Sequence, residues 1–183
     1  DLGAHGWGNQ ELQLYTSSSE NSYVHDGNLM IVAKEQGAMY TSARMKSIDL
    51  QEFQYGRIDV RAVLPKGQGI WPAIWMMPTN SPYGSWAAGG EIDIVESRGN
   101  KVTETVGALH FGGKWAGNVH LDHTYKFPGK NAAEDIHVYA VEWNADTISW
   151  FVDGVRWKTR TNNEWWSASA RQNPPAPYDQ PFH

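Results

Sequence analysis

The densest chemistry in this sequence lies in eight consecutive residues, Gly89-Gly90-Glu91-Ile92-Asp93-Ile94-Val95-Glu96, which place three carboxylates within six residues of β-forming sequence. In a regular strand side chains alternate, so Glu91 and Asp93 share a face with Val95, while Glu96 points with Ile92 and Ile94 into the core. A carboxylate buried there without a partner is costly. One extra residue in the strand, a β-bulge near Ile94 and Val95, restores the parity and turns Glu96 to the face of Glu91 and Asp93. Two glutamates facing one cleft about 5 Å apart suit cleavage of a glycosidic bond with retention, one attacking the anomeric carbon while the other protonates the leaving oxygen. Asp93 between them can exchange a hydrogen bond with Glu91, and its charge raises the pKa of a neighbour, helping Glu96 keep its proton. Two other readings fit the same pattern. One is an acidic edge strand that discourages aggregation. The other is a cation site, although EF-hand spacing is absent and a strand suits Ca²⁺ poorly.

The elements that must position these groups read as strands. Short apolar or alternating runs recur at 28–33, 56–64, 70–77, 91–96 and 138–143 between Gly, Pro, Asn and Asp punctuation, the rhythm of an all-β sandwich or barrel. Arg57, Asp59 and Arg61 fall on one parity and Ile58, Val60 and Ala62 on the other, which predicts a strand with one polar and one buried face. Asp153-Gly154, between runs at 147–152 and 155–159, predicts a two-residue hairpin turn. Residues 162–171 could hold one short helix, and the Pro-rich stretch 173–181 reads as an ordered extended loop before a further strand. With no repeat, low-complexity segment or internal linker, the 183 residues are expected to form a single domain.

Composition narrows the function classes. A formal net charge of -5 offers no general attraction for polyanions, so nucleic acid is not an expected partner. No run approaches the roughly 20 apolar residues of a membrane span, and the opening residues lack a signal-peptide pattern, which predicts a soluble protein whose leader is already gone. No membrane partner is expected. There is no cysteine, hence no disulfide framework and no thiolate chemistry. Ten Trp, eight Tyr and 18 Gly suit a loop-rich β-protein with aromatic rings to spare for a ligand face, although packing accounts equally well for any single Trp.

Four ordered blocks carry a family resemblance: His5-Gly6-Trp7-Gly8-Asn9-Gln10-Glu11-Leu12-Gln13, then Tyr55-Gly56-Arg57-Ile58-Asp59-Val60-Arg61-Ala62, then residues 64–78 with Trp71-Pro72-Ala73-Ile74-Trp75-Met76, and finally Gly90 to Glu96. Together they resemble the laminarinase type of glycoside hydrolase family 16 over nearly the whole chain. The resemblance implies a β-jelly-roll sandwich of two antiparallel sheets with a concave substrate cleft. It also implies a secreted, endo-acting, retaining hydrolase of β-1,3-glucan (laminarin), with mixed β-1,3/1,4-glucan as a further substrate. Glu91 would be the nucleophile, Asp93 its partner and Glu96 the acid/base. The spacing of the glutamates looks like the bulged branch of the family, which also contains agarases and carrageenases, so the sugar is read from the flanking blocks and from the acidic charge balance. For the substrate, Trp75 and Trp86 resemble rings that line the cleft near the scissile bond. Trp71 is a third candidate, with packing beneath the sheet as its alternative. Asn9 and Arg57 look like polar groups that bond sugar hydroxyls, Arg57 having an exposed cross-strand charge as its alternative. His110 resembles the histidine that approaches the acid/base region. Trp115, His120 and His123 lie in a Gly-rich segment and stand outside this set, because the sequence does not fix their direction.

Members of the family typically begin with a strand upstream of Asp1 and continue past His183 with further strands. The expectation is therefore a catalytic domain lacking the first and last strands, with a complementary chain completing the sheet as a candidate partner. The chemistry requires no cofactor. The family's structural Ca²⁺ draws on both termini, and only a carbonyl near Gly27 would come from this chain. The competing function is a non-catalytic β-glucan-binding module, or a hydrolase of another polysaccharide such as agarose or carrageenan.

Overall fold

The computed structural model describes residues 5–129 and 135–183, and the chain falls into two compact units, Asp1–Ser47 and Ile48–His183. The first unit is built from five short strands, β1 (Gln13–Tyr15), β2 (Ser22–His25), β3 (Asn28–Ile31), β4 (Lys34–Gln36) and β5 (Met39–Ser42). β1 and β5 pair in parallel and β4 closes that sheet antiparallel, whereas β2 and β3 form a separate hairpin. Asp26 and Gly27 turn that hairpin with φ of 48° and 74°, both in the left-handed region a two-residue turn needs.

The second unit contains β6 (Gly56–Ala62), β7 (Ala73–Met76), β8 (Glu91–Glu96), β9 (Glu104–Gly112), β10 (Asn118–Lys126), β11 (His137–Trp143), β12 (Thr147–Val152) and β13 (Val155–Thr161). These make two four-stranded antiparallel sheets in the orders β10-β9-β8-β7 and β13-β12-β11-β6. Their inner faces meet in one core, with Ile92, Leu109 and Phe111 from the first sheet and Tyr139, Val141, Trp143, Ile148 and Trp150 from the second, all buried. This is an all-β jelly-roll sandwich. The hairpin at Asp153-Gly154 is present, with φ of 51° and 78°.

Three expectations are corrected. No helix forms over 162–171, because anchors pull that segment into turns: Trp165 is buried against the Tyr178 ring, and Ser167 bridges to Gly112 and donates to the Ala88 carbonyl. The Pro-rich stretch is folded into turns rather than extended, with Tyr178 and Gln180 buried and Gln180 Nε2 donating to the carbonyls of Gly89 and Pro177. The run at 70–77 forms a strand only over Ala73–Met76.

Candidate functional site

The bulge required by strand parity is present. On β9 the partners of Glu91, Asp93 and Glu96 are His110, Ala108 and Val106, so β8 advances three residues from Asp93 to Glu96 while β9 advances two. The β7 ladder shows the same slip, pairing Trp75 with Asp93 and Ile74 with Val95. Residues directly opposite one another share a face. Glu91, Asp93, Glu96, His110, Ala108 and Trp75 therefore stand together, with His120 and Asp122 of β10 opposite His110 and Ala108.

A bulge disrupts the ladder locally, and buried backbone groups must still be satisfied. Trp150 of the other sheet does this at Asp93: its indole N–H donates to the Asp93 carbonyl at 2.8 Å. The indole reaches that carbonyl by lying against Gly107 of β9, where a Cβ would stand 2.6 Å from the ring. Neither residue was singled out from sequence. The available signal was a glycine inside a strand pattern, which marks a close approach by another group.

The carboxylates are held by indoles at both ends. Trp86 Nε1 donates to Glu91 Oε2, and Trp71 Nε1 donates to Glu96 Oε1 at 2.9 Å. Trp71 is 52% exposed, so it does not pack beneath the sheet. An indole can only donate. One oxygen of each glutamate is thus fixed as an acceptor, Oε2 of Glu91 and Oε1 of Glu96. Asp93, 1% exposed, shares a hydrogen bond with Glu91 and lies with Oδ2 3.2 Å from His110 Nε2. Tyr178 sits below, its hydroxyl donating to the His110 carbonyl at 2.9 Å.

Burial, with the charge of Asp93 second, pushes the Glu91 carboxyl up to about 8. Burial and then the charge of Glu96 hold Asp93 well above the usual carboxylate range. Burial also raises Glu96, against the Trp71 N–H that favours its anion. Close carboxyls in so little water titrate as a unit, and this group keeps protons that exposed carboxyls would lose. Ligand atoms of Glu91, Asp93 and His110 lie within 4.8 Å of one another, a donor set for a cation, but both acids are already committed to hydrogen bonds with Trp86 and each other.

Glu91, Asp93, Glu96, Trp71, Trp75, Trp86 and His110 are therefore brought together. Arg57 is not. It lies on β6 of the other sheet, on the face turned away from the core, where it pairs with Asp59 at 2.9 Å and lies over the Phe151 ring. Alternation correctly grouped Arg57 with Asp59 but could not tell which way their face looks. Asn9 belongs to the first unit, where its amide donates to Glu11 at 3.2 Å.

The chain is 46% identical over 189 aligned residues to Glucan endo-1,3-beta-glucosidase A1 of Niallia circulans, an alignment covering 97% of this chain and 28% of that protein. It is 40% identical to the Beta-glucanase of Rhodothermus marinus, covering 100% of this chain and 65% of the relative. The solved laminarinase of Rhodothermus marinus superposes with a TM-score of 0.85 at 38% identity, covering 100% of this chain and 74% of that one. The profile of Glycosyl hydrolases family 16 matches residues 9–179, and the chain belongs to that family.

Proposed function

We propose that this chain carries the catalytic centre of an endo-acting β-1,3-glucanase that cleaves laminarin-type glucan with retention of configuration, and mixed β-1,3/1,4-glucan as a second substrate. The observation that carries the reading is the bulge, which sets Glu91 and Glu96 on one face with one oxygen of each fixed by an indole. The names of the relatives support the substrate, although the chain spans only 28% and 65% of the two curated proteins.

In the first step a carboxylate oxygen of Glu91 attacks the anomeric carbon and forms an ester to the sugar. The bond from that carbon to the glycosidic oxygen breaks, and the proton on Glu96 Oε2 passes to the departing oxygen. In the second step Glu96, now an anion, takes a proton from water. The water oxygen bonds to the anomeric carbon and the ester breaks, which restores Glu91. Attack needs the ionised form of Glu91, so turnover draws on molecules in which Glu91 has lost the proton that burial and the charge of Asp93 hold on it. No step draws on a metal or an organic cofactor. Glucan of this kind is too large to enter a cell intact, so the enzyme acts outside it and is secreted; its recovery from culture medium rather than cell lysate tests that.

The deciding experiment follows the first-formed sugar by proton NMR during laminarin hydrolysis. A β-anomer that later mutarotates is expected. An initial α-anomer would mean single displacement and remove Glu91 from its role, and binding without cleavage would make the chain a recognition module. A fall in viscosity that outpaces the release of reducing ends checks endo action.

A further inference from the structure

Glu91 lies within a run of aromatic rings that extends past it on both sides. Trp86 stands 5.6 Å, centroid to centroid, from His110, and His110 stands 5.7 Å from His120 of β10. In the other direction Trp115 stacks on Trp86, with centroids 6.2 Å apart and planes at 29°. Trp115 is 73% exposed.

The loop that carries it, 113–117, is tightly closed. Gly113 N–H donates to the Gly117 carbonyl at 3.0 Å and Gly117 N–H to the Lys114 carbonyl at 2.6 Å. The loop is also tied to the segment before β8, through Trp115 N–H to the Trp86 carbonyl at 3.1 Å and Ala87 N–H to the Gly113 carbonyl at 3.3 Å. A Cβ on Gly113 would stand 2.9 Å from the Gly117 oxygen, so this closure requires glycine there. The fold thus fixes a large, mostly apolar ring in water beside the residue that donates to Glu91. A scattered surface apolar residue needs no explanation, but one held by a closed loop against the residue that donates to Glu91 does.

We propose that Trp115 is the stacking platform for a glucosyl unit of the bound chain, the next sugar along from the one seated at Trp86, so that it selects longer glucan chains. This rests on the glucan-cleaving reading above. A β-glucosyl ring presents axial C–H bonds on its faces, which pack on the electron-rich face of an indole. A loop already closed in the free protein loses little freedom when the sugar arrives, so more of the stacking energy appears as affinity.

The test titrates laminaritriose and laminarihexaose into the Glu91→Gln protein, with and without Trp115→Ala, and measures hydrolysis of both by the Trp115→Ala protein with Glu91 intact. Laminarihexaose binding is expected to weaken about tenfold. Laminaritriose, short enough to settle in registers that leave Trp115 unused, should change by less than about twofold, and Trp115→Phe should restore most of the loss because it keeps an aromatic face. In hydrolysis KM for the longer chain should rise while kcat holds. Equal weakening for both lengths would mean a merely structural role and overturn the platform, as would no weakening at all. If the length-dependent loss appears but the unaltered protein cleaves nothing, the platform stands and the glucanase reading falls. If cleavage proceeds and Trp115→Ala leaves both lengths unchanged, the reverse holds.

Discussion

Two strands of the second unit alternate charged and apolar side chains, and the charges meet opposite fates. On β6, Arg57 and Asp59 lie exposed and neutralise each other at 2.9 Å, an arrangement that contributes little to stability because water and salt screen it. On β8, Glu91, Asp93 and Glu96 stand on one face with Asp93 fully buried, and Glu91 and Glu96 each take an indole N–H. A neutral donor orients a carboxylate without cancelling its charge, and burial raises its proton affinity. Alternation therefore says only which side chains travel together. Reactivity comes from what the fold places against them.

The strongest way to break that comparison is to remove one charge from each strand. Glu91→Gln is expected to lower kcat on laminarin by about a thousandfold or more, since the residual rate would come from binding and the remaining groups alone. Glu96→Gln should cost about a hundred- to ten-thousandfold, the usual worth of a positioned general acid. Arg57→Gln should leave kcat/KM within about twofold, its face being turned away from the carboxylates. Reducing-end assays on the three proteins check this. A loss for Arg57→Gln comparable with either glutamate would erase the distinction between the strands.

Stability against pH sharpens the same contrast. Glu91 rises from an ordinary 4.5 to about 8 on folding, so the folded protein holds a proton that the unfolded chain releases. Its contribution to stability is complete below 4.5 and is lost as pH rises through about 8. Urea unfolding should show the unaltered protein weakening from pH 5 to pH 8, and Glu91→Gln should remove part of that slope, at most a few kcal/mol. Asp93 and Glu96, also raised, keep their share of the slope in both proteins. Arg57→Gln should leave the slope unchanged. Equal slopes for the unaltered protein and Glu91→Gln would show that Glu91 ionises as easily folded as unfolded.

How much of this was legible in the sequence follows from the kind of signal each residue carries. The bulge could be counted, because Glu96 on the parity of Ile92 and Ile94 is untenable in a core. The Asp153-Gly154 turn was legible because few residue pairs accept two positive φ angles. Arg57 was misplaced because a strand's alternation is symmetric: it defines two faces without saying which meets the carboxylates. Residues 162–171 were misread as a helix because their turns are imposed by distant partners, Tyr178 and Ala88. Trp71 and Trp115 sit outside strands, and only tertiary hydrogen bonds fix their direction. Trp150 was hidden most completely, since its partner Asp93 lies far away in sequence and on the other sheet.

That last contact offers the finest test of why β8 differs from β6. If the bulge places Glu96 and Trp150 holds the bulge, weakening Trp150 should disturb chemistry without touching any reacting group. Trp150→Phe keeps most of the packed ring but leaves the Asp93 carbonyl without its 2.8 Å donor, a buried acceptor whose isolation costs about 1–2 kcal/mol. Gly107→Ala attacks the same contact from the other side, placing a Cβ 2.6 Å from the indole, where neither the β9 backbone nor the packed ring gives way cheaply. Overpacking of this kind costs about 1–3 kcal/mol. Both proteins should remain folded, with kcat lowered severalfold and KM little changed. Ser149→Ala is the control, because Ser149 lies on the same strand as Trp150 but bonds Thr159 of β13 instead. If Trp150→Phe loses stability yet keeps full kcat, the indole is core packing alone and the β8 ladder holds its bulge unaided. A fall in kcat shared by Trp150→Phe and Gly107→Ala but not by Ser149→Ala would tie the position of Glu96 to a hydrogen bond from the opposite sheet.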